Sequence, residues 1–234
     1  MWCTNNHKTN NVSFNLRERE ILGFAGLVGA GRTELMRLIF GVDKPDSGRI
    51  FLNGVEIKIS NPRDAIQNRI CLLTEDRKKH GLVLNHSCRE NFGLPNLKKY
   101  IRFLFVDKKK ERNAFDSYVN HLKIKISDHE SMVSSLSGGN QQKIVLAKWL
   151  ETNSDIIIFD EPTRGIDVGA KYEIYMLINQ LANEGKSIII VSSELPELLG
   201  ICNRIIVMHE GYFKGEVNET TTITQEDILK IAIS

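Results

Sequence analysis

The residues best equipped for chemistry lie between positions 136 and 167. Leu136-Ser137-Gly138-Gly139-Asn140 is a glycine-rich turn opening a helix. Free backbone N–H groups and the helix dipole point the same way there, which makes an anion site. Twenty residues on, the apolar run Ile156-Ile157-Ile158-Phe159 ends in Asp160-Glu161. Of these adjacent carboxylates, one is placed to hold a magnesium ion and the next to orient water. Together the two signals indicate hydrolysis of a nucleoside triphosphate.

A third signal stands nearer the start. Gly26-Leu27-Val28-Gly29-Ala30-Gly31-Arg32-Thr33 follows a buried strand and opens a helix, the context a phosphate loop requires. Gly26, Gly29, Ala30 and Gly31 let backbone N–H groups close around phosphate oxygens, and Thr33 offers its hydroxyl to Mg2+. The position where lysine belongs carries Arg32. Lysine is a compact charge on a thin stem and arginine a wide planar fork, so the exchange is not conservative. It leaves phosphate binding in place and weakens the case for catalysis at this loop.

The elements that must hold these residues follow from periodicity. Val12–Leu16 alternates like a half-buried strand, and Ile21–Ala25 is a continuous apolar run like a buried parallel one. The pattern then predicts a helix over 32–40 stopped by Gly41, a hairpin around Asn53-Gly54, a short helix opened by Asn61-Pro62, and a strand over 70–74. From about 77 to 135 the chain is charged, with helical spacing at 108–124 and no clear strand, and reads as a helical insertion. After the 136–140 turn come a helix to about 151, the strand ending at Asp160, a helix over 170–183, a strand over 187–191, a hairpin around Glu210-Gly211 and a last helix over 224–231. Alternating strands and helices predict an α/β fold with a mainly parallel sheet.

Composition names no partner. With 31 basic and 29 acidic residues in 234, the net charge of +2 gives no argument for nucleic acid. Cys3, Cys71, Cys88 and Cys202 form no close pair, and the six histidines, His7 among them, show no ligand spacing. No apolar run approaches the roughly 20 residues that span a bilayer. The run Lys108-Lys109-Lys110 reads as a solvated helix face.

The phosphate loop, the Leu136 turn, Asp160-Glu161 and Gly165-Ile166-Asp167 resemble an ATP-binding cassette (ABC) ATPase over nearly the whole chain. More narrowly, Gly29-Ala30-Gly31-Arg32-Thr33-Glu34-Leu35, Thr74-Glu75-Asp76-Arg77, Gly138-Gly139-Asn140-Gln141-Gln142-Lys143 and the stretch from Glu161 to Lys171 look like the second cassette of bacterial ribose, galactose and xylose importers, which carry two cassettes in one polypeptide. The resemblance implies a P-loop NTPase with a small antiparallel β part and a helical insertion over about 77–135, all within one nucleotide-binding domain spanning 1–234. It implies ATP and Mg2+ as cofactors, with Thr33 and Asp160 at the metal and Glu161 as the catalytic carboxylate. Glu75, Asp167 and Ser193 fall at further nucleotide-site positions. Glu75 stands where most cassettes have glutamine, and Ser193 where a histidine would meet the γ-phosphate.

In such dimers each ATP lies between one cassette's phosphate loop and the other's serine-glycine turn. The resemblance therefore implies an asymmetric pair. Leu136, Ser137, Gly138, Gly139 and Asn140 complete a competent site on a partner cassette, fused or separate, while this chain's own loop turns ATP over slowly. It further implies transmembrane permease subunits, an indirect sugar-binding protein, and a peripheral place at the cytoplasmic face of the cell membrane. The alternative is a nucleotide-binding regulatory or truncated half-cassette that hydrolyses nothing. Cassettes usually place a strand and an aromatic loop ahead of the Val12 segment, and only eleven polar residues stand there, so a poorly ordered or truncated start is expected. Trp2 is accordingly read as part of that tail rather than as an adenine-stacking ring.

Overall fold

The computed structural model describes residues 2–5, 9–220 and 223–233, with side chains from residue 9 onward; His7 and the ring of Trp2 lie outside the described atoms. The elements run β1 (Trp2–Asn5), β2 (Thr9–Ser13), β3 (Ile21–Ala25), α1 (Arg32–Phe40), β4 (Ser47–Leu52), β5 (Val55–Ile57), α2 (Pro62–Gln67), β6 (Ile70–Leu73), α3 (Cys88–Gly93), α4 (Leu97–Tyr100), β7 (Ile101–Arg102), β8 (Phe105–Val106), α5 (Lys108–His121), α6 (Gly138–Leu150), β9 (Ile156–Asp160), α7 (Val168–Asn183), β10 (Ser187–Val191), α8 (Leu195–Ile201), β11 (Arg204–His209), β12 (Tyr212–Val217) and α9 (Gln225–Ile233). The chain divides into two compact units, one of residues 1–72, 155–162 and 178–234, the other of residues 73–154 and 163–177.

The first unit holds a six-stranded sheet in the order β12-β11-β3-β10-β9-β6. β3, β9, β10 and β11 are mutually parallel, and β12 turns back, antiparallel to β11. The inner strands are runs of isoleucine, valine and phenylalanine whose β-branched side chains suit a pleat covered on both faces. β3 is buried at all five positions, and Phe24 meets the edge of Phe14 with centroids 5.0 Å apart. A second sheet, β2-β1-β4-β5, is antiparallel. Its β4–β5 turn places Asn53 (φ 50°) and Gly54 (φ 79°) in the left-handed region, as the Asn-Gly pair predicts. β1 and β2 form where the sequence reading expected a poorly ordered start. β2 runs over Thr9–Ser13 rather than 12–16 and buries Thr9 and Val12; β1 and β2 pair with each other and β1 with β4, and Asn10 N donates to the Gly211 carbonyl at 2.7 Å.

The second unit takes in α3 to α6 together with residues 163–177. Helix α6 buries Ile144, Val145, Leu146 and Ala147. Phe92, on α3, packs on Phe115 of α5 at 5.1 Å. Buried Arg89 pairs with Glu111 and, at 2.6 Å, with Glu130. α3 begins with a capping box between Ser87 and Glu90. The unit also contains the two-residue pair β7–β8, too short to be read from alternation, and α5 ends at His121 rather than 124. α8, in the first unit, is likewise a short helix the periodicity did not disclose.

Lys148, on α6, is buried, and its ammonium donates to the carbonyl of Gly81 without a carboxylate partner recorded among the described residues. Burial pushes its pKa down to about 8 from the ordinary 10.5. The unfolded chain therefore binds the extra proton between those values, so this group makes the fold more stable as pH rises from about 8 to 10.5. Replacing Lys148 with methionine is expected to stabilise the protein by about 1–3 kcal/mol at neutral pH. The gain should shrink toward pH 10.5. Thermal melts across pH test this; a Lys148→Met gain that did not change with pH would place its origin elsewhere.

Candidate nucleotide site

In the first unit, the carboxyl ends of β3, β10 and β9 lie side by side because those strands are consecutive in the parallel sheet. Each carries one part of the site: residues 26–33 after β3, Asp160-Glu161 at the end of β9, and Ser192-Ser193 after β10. Crevices outside the carboxyl ends of such sheets are where α/β proteins take their ligands.

The loop after β3 is glycine-dependent at its first turn. A Cβ on Gly26 would stand 2.4 Å from the Met208 carbonyl oxygen and 2.8 Å from the Ala30 methyl. The loop is pinned by Ala30 N donating to the Leu27 carbonyl and by the Ala30 carbonyl accepting from Gly211 N, each at 3.0 Å. Gly31, at φ 88°, caps α1 without any side-chain hydrogen bond to the first turn, so the leading N–H groups stay open to an anion. Gly26, Gly29, Ala30, Gly31 and Thr33 thus lie in one continuous loop running from β3 into α1.

Thr33 Oγ donates to Asp160 Oδ1 at 3.0 Å. Burial pushes the Asp160 carboxyl up to about 6, against the Thr33 hydrogen bond, which holds it down. A hydroxyl and a carboxylate oxygen in contact fit a hard cation. Among the described residues no cluster of three or more His, Cys, Asp or Glu side chains could hold a metal. Magnesium in phosphate sites takes only one or two protein oxygens and leaves the remainder to water and phosphate.

Arg32 is 7% exposed. Its guanidinium donates to the Ser192 carbonyl, and Nη2 lies 3.7 Å from Glu161 Oε1. Glu161 sits at φ 49° with its N–H donating to the Val191 carbonyl at 2.8 Å, and Ser193 Oγ donates to Glu161 Oε2 at 3.1 Å. Burial lowers the Arg32 pKa and the neighbouring carboxylates oppose that shift. The carboxylate expected to orient water is thus engaged on both oxygens, by Arg32 and Ser193, where the resemblance implies a lysine and a histidine. Sequence reasoning placed Arg32, Glu161 and Ser193 in one site but missed Ser192, whose main-chain oxygen leaves no mark in residue type.

The second unit gathers the other expected residues. Ser137 precedes α6, and its Oγ accepts from Asn140 Nδ2 at 3.0 Å, while Asn140 Oδ1 accepts from Lys125 N at 2.8 Å. Leu136 N donates to the Val133 carbonyl. A Cβ on Gly138 would stand 2.7 Å from Arg77 Nη2, and one on Gly139 3.0 Å from the Ala170 methyl. Arg77 is the residue the motifs undervalued: it donates to the Arg164 carbonyl at 3.2 Å and to Gln141 Oε1 at 3.4 Å. Glu75 pairs with Arg164. Asp167 Oδ1 accepts from Ala170 N at 2.9 Å and caps α7.

Comparison with known proteins agrees with this geometry. The family model described as "ABC transporter" matches residues 9–164. A ribose import ATP-binding protein, RbsA, of Clostridium perfringens (strain 13 / Type A) is 54% identical over 223 residues, covering 95% of this chain and 44% of that protein. The one from Lactococcus lactis subsp. cremoris (strain SK11) is 52% identical over 222 residues, covering 95% of this chain and 45% of its own length. The chain thus spans about half the length of these curated relatives. A crystallised ATP-binding cassette of an ABC transporter in its ADP conformation superposes with a TM-score of 0.80 at 21% identity, covering 97% of this chain and 92% of that one; at that identity the likeness speaks to the fold. A phosphate loop facing an Asp-Glu strand end, on a cassette fold and with a family match across two thirds of its residues, makes this chain a member of the ABC transporter ATPase family.

Proposed function

We infer that the chain is an ATP-binding component of a monosaccharide importer, ribose being the sugar its relatives' names favour, and that its own phosphate-loop site is a slow one. The observation that carries the second part is the buried Arg32 held between the Ser192 carbonyl and Glu161. In this reading the cradle of residues 26–33 binds the phosphates of ATP through main-chain N–H groups, and Thr33 and Asp160 hold magnesium. When bound, the metal neutralises charge on the phosphate oxygens. Glu161 orients water poorly, because it must first leave Arg32 and Ser193. The turn at 136–140 supplies main-chain donors to a nucleotide on a competent partner cassette, which is why its glycines are intact while the phosphate loop has diverged. Transmembrane permease subunits and a sugar-binding protein complete the assembly, with the cassette peripheral at the cytoplasmic membrane face.

The reading that the chain binds nucleotide without hydrolysing it draws on the same Arg32 contacts, and one experiment separates the two. Replacing Arg32 with lysine together with Ser193→His should raise the Mg·ATP turnover of the purified chain, removal of one such donor being worth about 10²–10³ in rate. The parent should bind ATP at micromolar nucleotide while turning it over slowly. A parent that hydrolyses ATP rapidly would contradict the slow-site reading, and a double variant as idle as the parent would favour the non-hydrolysing one.

The division of labour makes a second test. In an importer assembled with its competent cassette, Ser137→Glu, which sets a carboxylate at the start of α6 where phosphate should sit, is expected to remove most ATPase activity. Glu161→Gln in the same assembly should cost far less. Ser137 serves better here than Gly138, whose side chain would meet Arg77 within its own unit. The reverse ranking would make this chain's own loop the principal site of hydrolysis.

A further inference from the structure

In the second unit, β7 and β8 form a two-residue ladder, Ile101 opposite Val106 and Arg102 opposite Phe105, closed by Phe103 and Leu104. Turns this tight favour glycine and asparagine because their first residue takes a left-handed backbone. Phe103 takes it at φ 56°, a conformation that bulky side chains rarely adopt. Folding gains little in return: Phe103 is 91% exposed, Leu104 92% and Phe105 79%. Three consecutive large apolar side chains are held out by a strained turn, and such local departures from the rules of folding mark sites kept for contact with something else.

The surroundings choose what that is. Lys98, Arg102, Lys108 and Lys109 are exposed along the same segment; among the described residues none of them forms a close ion pair, and Lys108 acts on Glu130 only at longer range. Its one acid outside the buried core, Asp107, is engaged as the cap of α5, accepting from Lys110 N at 3.0 Å. Lysine is depleted in protein–protein interfaces. A small apolar wedge rimmed by lysine and arginine is instead the composition that enters the headgroup region of a bilayer, where aliphatic stems lie along the lipid and charges reach anionic phosphates. No helix among the described residues is long and apolar enough to cross a membrane, so such contact would be interfacial.

We propose that the β7–β8 tip is a membrane-surface wedge: Phe103, Leu104 and Phe105 insert at the headgroup boundary of an anionic bilayer while Lys98, Arg102, Lys108 and Lys109 bind lipid phosphates. The proposal does not depend on the ATPase reading, since it needs neither nucleotide nor a partner cassette. The test is co-sedimentation of the full chain, free of nucleotide, with vesicles of phosphatidylglycerol and phosphatidylcholine and with vesicles of phosphatidylcholine alone. Binding is expected to the anionic vesicles, to weaken with salt, and to fall by at least ~tenfold in Phe103→Ser/Leu104→Ser/Phe105→Ser. Reversing Lys108 and Lys109 to glutamate should lower it as well. A Leu104→Trp variant should show blue-shifted emission, relative to the parent, on adding anionic vesicles. That arm decides the matter even if the triple variant folds poorly. Absence of parent binding would overturn the proposal and leave the tip to a protein groove. Undiminished binding by the triple variant, or bound Leu104→Trp protein with unshifted emission, would reduce the contact to charge alone and overturn it equally.

Discussion

A guanidinium cannot be put into a protein interior without acceptors, and this requirement, met at Arg32, organises the candidate site. Taking such a charge out of water costs several kcal/mol unless it is paired and hydrogen-bonded. Arg32 meets the need with the Ser192 carbonyl and the Glu161 carboxylate. At that separation the Coulomb attraction is about 4 kcal/mol for an effective dielectric of ~20. Any rotation of Glu161 toward water forfeits part of it. A lysine would reach out along a thin stem and leave the carboxylate free; the wider fork of arginine spans from the start of α1 to the ends of two neighbouring strands. In the proposed function ATP would offer a competing anion, which would link nucleotide binding to the release of Glu161 through one side chain.

The sheet makes that contact unavoidable. β3, β10 and β9 are adjacent and parallel, so the residues that follow them emerge on the same edge. Gly26 is fixed by its close approach to the Met208 carbonyl on β11, and α1 therefore starts at a set point above the sheet. Arg32, first residue of that helix, is delivered to Glu161 and Ser192 by the fold rather than by a flexible loop. Thr33, one residue on, turns instead to Asp160. Two adjacent residues thus divide the two adjacent carboxylates between them, Thr33 by a hydrogen bond and Arg32 by an ion pair.

Much of this was legible in the sequence, for identifiable reasons. The Ile156 run, Ile21–Ala25 and the strand before Ser192 are long β-branched or apolar stretches, and Asn53-Gly54, Glu210-Gly211, Gly41 and Asn61-Pro62 are turn and cap residues whose chemistry acts locally. Elements held by partners rather than by their own pattern were not legible. β1 and the start of β2 carry too short an apolar pattern to read and are fixed by backbone pairing, and β7–β8 is closed by Phe103 and Leu104, residues that contradict the turn they make. The partner of Arg32 was hidden for a related reason: the substitution is visible in the sequence, but the direction of a guanidinium depends on Ser192 and Glu161 arriving from strands over a hundred residues away. The pairing of Glu75 with Arg164 was hidden in the same way.

The most direct measurement is a single-turnover count of nucleotide in the assembled cassette pair, with labelled ATP loaded at both sites and ADP followed over time. If Arg32 restrains Glu161 as described, about half of the bound ATP should convert quickly and the rest remain as ATP, with the slow fraction assigned to this chain by cross-linking an azido-ATP to its phosphate loop. Conversion of both nucleotides in one fast phase would contradict the account, because a carboxylate still held by Arg32 and Ser193 could not keep pace with a free one.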